Sequence, residues 1–210
     1  MAVAGQHSST GRPLLVNSIE DLNRMPGRYY IAKLRWGEGK HKFEVTGATQ
    51  PGMLFFLSGS NGRFSWAWSK VNYDSIDLYK EDISLNDTRS HITVDKEEEI
   101  LIRDNPSHNE KTYFTEIGPL ISSLFYNTLD IEDNSTALIS AKYPYPKNSY
   151  KYYQYFLDLH LCPTIHCAAD SLQKLDGIPS DYVLVDNKEI VHVVSGTFPI
   201  RKDKHSGHKI

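Results

Sequence analysis

Asp74 and Asp77, with Ile76 between them, are placed where two carboxylates and one main-chain carbonyl can converge on a hard cation. Oxygen ligands of this kind suit calcium. The same stretch also suits a solvated strand end, and the local sequence leaves both readings open. A second cluster is "LCPTIHCAAD", which holds the only two cysteines, Cys162 and Cys167, with His160 and His166 nearby. Thiolates and imidazoles bind zinc, but a closed structural site takes four ligands in recognisable pairs and no second cysteine pair exists. Buried small apolar thiols are the expected state, with a zinc site or a local disulfide as the alternatives. A third group is aromatic: Phe55, Phe56, Trp66 and Trp68 can line an apolar cleft or fill a core. Tryptophans on a hairpin can also stack bases, but no basic residues interleave with these. The stretch "YPYPKNSY" (Tyr143–Tyr150) lies between a strand and a helix, where thioredoxin folds carry their redox pair, and it contains no cysteine. No nucleophile elbow, phosphate loop, H-E-x-x-H or dinucleotide glycine pattern occurs.

The chain that must position these residues has 210 residues, enough to bury a real core in one domain or a modest two-part fold. Its apolar share of 40% and charged share of 23% are ordinary for a globular protein. The 13 tyrosines and 10 dispersed prolines favour a sheet-rich or mixed fold. A net charge of −3 supplies no basic field to recruit nucleic acid or a membrane surface. No apolar run approaches the roughly 20 residues that span a bilayer. The first residues lack the charged start and apolar centre of a secretory signal, so a soluble chain with no visible address is expected. The basic end "RKDKHSGHKI" reads as a solvated terminus.

Strand signals dominate residues 1–103. "RPLLVN" reads as a short strand, and "GRYYIAKLRW" and "HKFEVTG" alternate around a glycine turn. "GMLFFLSG" reads as a fully buried strand, and "FSWAWSKV" follows across Asn61-Gly62, the strongest hairpin signal present. Residues 91–103 read as two short strands around a charged bend. From 104 to 201 the pattern is mixed. A strand at 137–144 precedes a helix over 148–160 with Asn148 or Ser149 as its N-cap. A second helix is expected over 168–175, stopped at Asp176-Gly177. Two alternating strands then flank Asn187-Lys188. The result is an α+β chain with mostly antiparallel pairing, ending in a basic tail at 202–210.

Taken in order, the segments resemble the opening of the β chain in the penicillin amidase family of N-terminal nucleophile hydrolases. "VAGQHSSTGRPLLVN" (Val3–Asn17) is similar to the family's "W-x-V-x-G-x-x-(T/S)-x-(S/T)-G-K-P-L-L-A-N". Val45–Ile83 resembles "V-x-G-x-x-x-P-G-x-P-x-x-x-x-G-x-N-x-x-I-A-W-G … D-x-x-D-L-Y-x-E". "TEIGPLI" is similar to "T-x-H-G-P-x-I", and "ALISAKYP" stands where "A-L-R-W-T" falls. "IPSDYVLVDNKEIVHVVSGTFPIR" resembles "P-x-x-N-x-x-Y-A-D-x-x-G-N-I-x-Y-x-x-x-G-x-x-P-x-R". The resemblance implies part of an αββα sandwich and cleavage of amide bonds in acylated small molecules. In that chemistry a serine at a new N-terminus attacks the carbonyl, with its own α-amine as base.

Matched position by position, the resemblance puts the serine three places before Met1, outside these residues. Glu20 falls where the family has His or Gln just inside the site. Asp181 replaces the asparagine that stabilises the oxyanion, and Ile117 replaces a histidine. Lys70 supplies the backbone donor of the oxyanion hole, and Arg201 keeps the family arginine. Asp74, Ile76 and Asp77 match a calcium loop, so calcium is the cofactor the resemblance implies. Trp66 reads as core support. Ser8, Ser9 and Thr10 match an exposed turn away from the catalytic end. The expectation is therefore a truncated relative without amidase activity. The alternatives are a fragment of an active acylase, or a non-catalytic protein binding an acyl ligand against Phe55, Phe56, Trp66 and Trp68. Exposed sheet edges are expected to need a partner chain or to promote self-association.

Overall fold

The computed structural model describes residues 1–19, 25–39, 42–71, 73–81, 92–122, 138–143, 149–177 and 179–201. Its strands are β1 (Ala2–Val3), β2 (Leu14–Leu15), β3 (Tyr30–Trp36), β4 (Phe43–Thr49), β5 (Ser58–Ser60), β6 (Ser65–Lys70), β7 (Asp77–Glu81), β8 (Thr93–Ile100), β9 (His108–Phe114), β10 (Leu138–Lys142), β11 (Ser180–Val185) and β12 (Ile190–Ser195). Two helices, α1 (Ser149–Leu161) and α2 (Ile165–Gln173), lie between β10 and β11. The chain divides into two compact units, Met1–Tyr73 with Tyr145–Phe198, and Asp74–Pro144 with Pro199–Ile210. In the first unit β11 returns to pair with β6, so segments far apart in sequence build one sheet.

In the first unit a six-stranded antiparallel sheet runs in the order β12-β11-β6-β5-β4-β3. Both helices contribute to one core with it. Trp66, Tyr182, Leu184 and Val193 from the sheet join Phe156, Leu159, Ile165 and Leu172 from the helices, all nearly excluded from solvent. Helix α2 starts earlier than expected because Thr164 caps it, its hydroxyl accepting from the Cys167 amide at 3.2 Å. The expected cap Asn148 lies outside the described residues. Cys162 and Cys167 form a disulfide, so the free-thiol expectation is corrected. The connection at residues 162–164 brings the end of α1 back onto the start of α2, and the two cysteine Cα atoms come within 5.6 Å.

The apolar run 53–57 is buried as expected at Phe55, Phe56 and Leu57, but regular pairing begins only at Ser58. A turn at Gln50–Met53, with Gly52 at φ 87°, precedes it. The Phe56 amide is satisfied by the imidazole of His160 at 3.1 Å, not by a neighbouring strand. The Asn61-Gly62 turn closes the β5–β6 hairpin, with Gly62 at φ 81°. Asn61 also does what its local sequence does not announce. Its side-chain oxygen accepts from the amides of Arg63 and Phe64, and its nitrogen donates to the carbonyls of His160 and Cys162 at 3.2 and 3.0 Å. It thus holds the hairpin turn and satisfies orphan carbonyls at the end of α1.

The second unit contains two ribbons, β7–β10 and β8–β9. The two short strands expected within 91–103 are one continuous strand, β8, with a register shift between Val94 and Lys96. Its partner β9 runs alongside for its whole length, so the charged residues at Glu97–Glu99 stay in solvent without breaking the ladder. Leu138 and Ser140 are buried under the Leu120 bridge, and Ser122 accepts from the Ile139 amide at 2.6 Å. The tail 202–210 lies outside the described residues.

Candidate functional site

The site face follows from strand alternation. In register, Ser69 opposes Asp181 and Asp181 opposes Val194, while Ala67 opposes Val183 and Val183 opposes His192. Side chains alternate between faces along a strand. Trp66, Tyr182 and Val193 therefore enter the core, and Ser69, Asp181, Val183 and His192 share the opposite face. There a cleft of ≈ 380 Å³ opens, bordered by Met1, Asn17, Trp68, Ser69, Asp181 and His192, among others.

Two polar arrangements shape this cleft. Asn17 donates through Nδ2 to Ser58 Oγ at 2.7 Å and to the Trp68 carbonyl at 3.0 Å, while the Trp68 amide donates to Ser58 Oγ at 2.9 Å. This clamp fixes the chain after β2 against β6. The second is an ion-pair-type contact of 3.1 Å between His192 Nε2 and Asp181 Oδ1. A carboxylate only accepts, so the hydrogen belongs on His192 Nε2 when Asp181 is ionised. The Asp181 side chain is 34% exposed and that of His192 60%, open enough to meet a solute.

Of the residues expected to matter, Lys70 and Asp181 come together: Lys70 pairs with Ser180, next to the Ser69–Asp181 pair. Glu20 lies outside the described residues. Phe55, Phe56 and Trp66 are packed in the core at 2%, 2% and 1% exposure. Phe55 stacks on Phe156 with ring centres 3.9 Å apart, and Trp66 Nε1 donates to the Phe56 carbonyl. Trp68 borders the cleft while packing against the same core. Trp66 also borders a second depression of ≈ 530 Å³ with Arg63 and Asp186. Ile117 sits in a turn whose amides at Ile117 and Gly118 donate to Thr115 Oγ1.

Asp74, Asp77 and Arg201 meet in the second unit. Arg201 Nη2 donates to Asp77 Oδ1 at 2.9 Å and to the Asp74 carbonyl at 2.9 Å, and Nε reaches the same Asp77 oxygen at 3.2 Å. Asp74 Oδ2 lies 3.4 Å from Nη2. The hydrogen bond to Asp77 raises the Arg201 pKa further, with the charges of Asp74 and Asp77 adding to it. Ile76 is exposed. The oxygens that a calcium ion would take are thus gathered around a guanidinium, and the residues as arranged fit that internal cation better than a metal. No group of three or more metal-ligating side chains is found among the described residues.

Sequence reasoning missed His192, which could have been found from the register of the hairpin around Asn187, since that sets it diagonal to Asp181. His160 was considered only beside the cysteines as a zinc neighbour, and nothing local signals its packed role. It is 5% exposed, lies against the rings of Phe56 and Trp66, and burial lowers its pKa to about 4.

A helix-backed antiparallel sheet with a cleft on its other face fits the α+β fold expected from the sequence. The fold matches the thermostable penicillin G acylase from Alcaligenes faecalis with a TM-score of 0.78 over 98% of this chain and 36% of that one, at 20% identity. The penicillin amidase family model matches residues 1–210, and the chain belongs to that family. It is 26% identical over 210 residues to the acyl-homoserine lactone acylase QuiP of Pseudomonas syringae pv. syringae, covering 96% of this chain and 24% of that protein. The protein of the same name from Pseudomonas fluorescens Pf-5 is 27% identical over 212 residues, covering 97% of this chain and 24% of its own length. The chain thus spans about a quarter of the length of the curated relatives it matches. No helix among the described residues is long and apolar enough to cross a membrane.

Proposed function

We propose that this chain forms one wall of the acyl-transfer site of an amide-hydrolysing acylase, and that residues 1–210 alone do not turn over acyl amides. The observation that carries the second half is Asp181. At the position where the family resemblance expects an amide donor, a carboxylate stands in the cleft and its reachable hydrogen is on His192.

Amide hydrolysis passes through a tetrahedral intermediate whose oxygen becomes negative. Donors aimed at that oxygen stabilise it, and losing one costs about 3–4 kcal/mol, a rate factor of roughly 10²–10³. An ionised carboxylate supplies no hydrogen and adds a like charge, so its effect is larger than simple loss. The Lys70 amide, at the end of β6, is the backbone donor this reading retains. The substrate class is an acylated small molecule with a linear amide, as the names of the relatives suggest. The retained fold and the cleft at the Met1 end favour a second reading, an active acylase whose serine precedes Met1.

Assay of the 210-residue chain with chromogenic phenylacetyl and long-chain acyl anilides separates the readings. No turnover above buffer is expected. Turnover that disappears in Asp181→Ala overturns the proposal. In a form extended by an in-frame upstream serine segment, Asp181→Asn should raise turnover by roughly 100-fold or more.

A further inference from the structure

We propose that the Cys162–Cys167 bridge is a redox latch, opened from its Cys167 side by a dithiol reductant, that governs the junction of α1 with the β5–β6 hairpin. The bridge ties the residue just after α1 to the first turn of α2 across the short loop 163–166. Its two ends differ in access. Cys162 is 3% exposed and belongs to the core, whereas Cys167 is only partly buried, beside the exposed Thr164 and His166. A thiolate arriving from solvent therefore meets Cys167 first.

The exchange is a two-step transfer. The attacking sulfur bonds to Cys167 Sγ, the bridge breaks, and its electron pair leaves on Cys162 Sγ, which takes up a proton. The Ser171 hydroxyl stands 3.9 Å from that sulfur and can donate to it as it departs. The reductant's second thiol then attacks its own bound sulfur, closes to a disulfide and expels Cys167 as a thiolate. That thiolate sits in the first turn of a nine-residue helix, where main-chain amides favour negative charge. In sum, two electrons and two protons pass from the dithiol to the bridge.

What the bridge holds is more than a loop. Asn61 Nδ2 donates to the carbonyls of His160 and Cys162 at 3.2 and 3.0 Å, while its Oδ1 accepts from the Arg63 and Phe64 amides. His160 Nε2 in turn accepts from the Phe56 amide at 3.1 Å. The hairpin turn and the buried run before it thus hang on two residues that the bridge pins to α2. With the bridge open, the Thr164 cap and side-chain packing are left to hold that end. The Cys162 carbonyl can then part from Asn61.

Hydrogen exchange on the 210-residue chain at pH 7.5, with and without dithiothreitol, tests the latch. In the reduced chain the Phe56, Arg63 and Phe64 amides should speed at least about tenfold more than those of Tyr182 and Leu184 in β11. Oxidised glutathione should restore the slow pattern. The double variant Cys162→Ala with Cys167→Ala should match the reduced chain and ignore dithiothreitol. Folded wild type treated briefly with reduced glutathione, then quenched in acid and mapped by peptide mass, reports the route. Glutathione should sit on Cys167 at least about tenfold more often than on Cys162. Equal or greater capture on Cys162 overturns the proposal. So does an equal rise at the junction and in β11, no rise at all, or a bridge that dithiothreitol opens only in urea. None of these readouts involves turnover, so the latch and the acylase reading can fail independently.

Discussion

Acidification should unfold this protein through His160 before its surface groups explain the loss. The imidazole is 5% exposed and its Nε2 accepts the Phe56 amide, a bond that requires the neutral ring. Tilted rings of Phe56 and Trp66 flank it, Cys162 follows two residues on, and the Asn61 side chain binds its carbonyl. Burial holds the folded pKa at about 4 against an ordinary 6.5. The unfolded chain therefore takes up a proton near pH 6.5 that the folded chain refuses until about pH 4. Stability from this residue is fully present above pH 6.5, falls as pH drops through that window, and is gone below about pH 4. The size is about 3.5 kcal/mol, at about 1.4 kcal/mol for each pH unit between the two values. For a domain stabilised by about 5–15 kcal/mol that is a large share. His160→Gln keeps an acceptor for the Phe56 amide but cannot titrate. Urea unfolding followed by tryptophan fluorescence at pH 7.5, 6.5, 5.5 and 4.5 compares the two, and carboxylate protonation cancels in the difference. Between pH 6.5 and 4.5 wild type should lose about 2 kcal/mol in excess of the variant. Parallel curves for the two proteins would refute the reasoning.

Two further outcomes follow from the helices and the second unit. Removing the Cys162–Cys167 bridge by Cys→Ala at both positions should cost about 2 kcal/mol, the chain-entropy value for so short a loop, read from urea midpoints with and without reductant. Identical midpoints in both conditions would show that Thr164 capping alone holds the turn. Arg201→Gln leaves Asp77, 13% exposed, beside Asp74 without its cation and should lower the melting temperature. Millimolar calcium should leave wild type unchanged and recover part of the loss in the variant. A calcium-dependent rise in wild type would mean the ion displaces the guanidinium.

Most strands were legible because their alternation is strong, as at "FSWAWSKV" and "DYVLVDN", where Phe64, Trp66, Tyr182 and Leu184 prove to be buried core. The run at Phe55–Leu57 was read correctly as buried and incorrectly as strand. Hydrophobicity reports burial, but whether the Phe56 amide finds a strand or an imidazole 104 positions away is set by tertiary packing. The disulfide was hidden for a related reason. Two thiols with four residues between them can pair only if the turn between two helices has the right shape, and spacing does not specify that shape. Asp181 was recognisable as an odd residue at a family position. Its partner His192 was not, because the contact runs diagonally across a hairpin and follows only from the register. Asp74, Asp77 and Arg201 were each picked out separately. Their meeting, which places a guanidinium among the supposed metal ligands, joins residues more than 120 positions apart.

The pairing of β6 with β11 sets a timetable. Lys70 finds its neighbour only at Ser180, and Ser65 only at Val185. During synthesis the edge of β6 is therefore complete long before the strand that covers it leaves the ribosome. Closing so long a loop is slow, and an uncovered strand edge invites pairing with another chain. The same stretch carries Trp66 and Trp68, whose side chains reach their helix-side neighbours only when α1, α2 and the last hairpin arrive. Yield of soluble protein should thus depend on the final 30 or so described residues more than on any part of the first unit that precedes them.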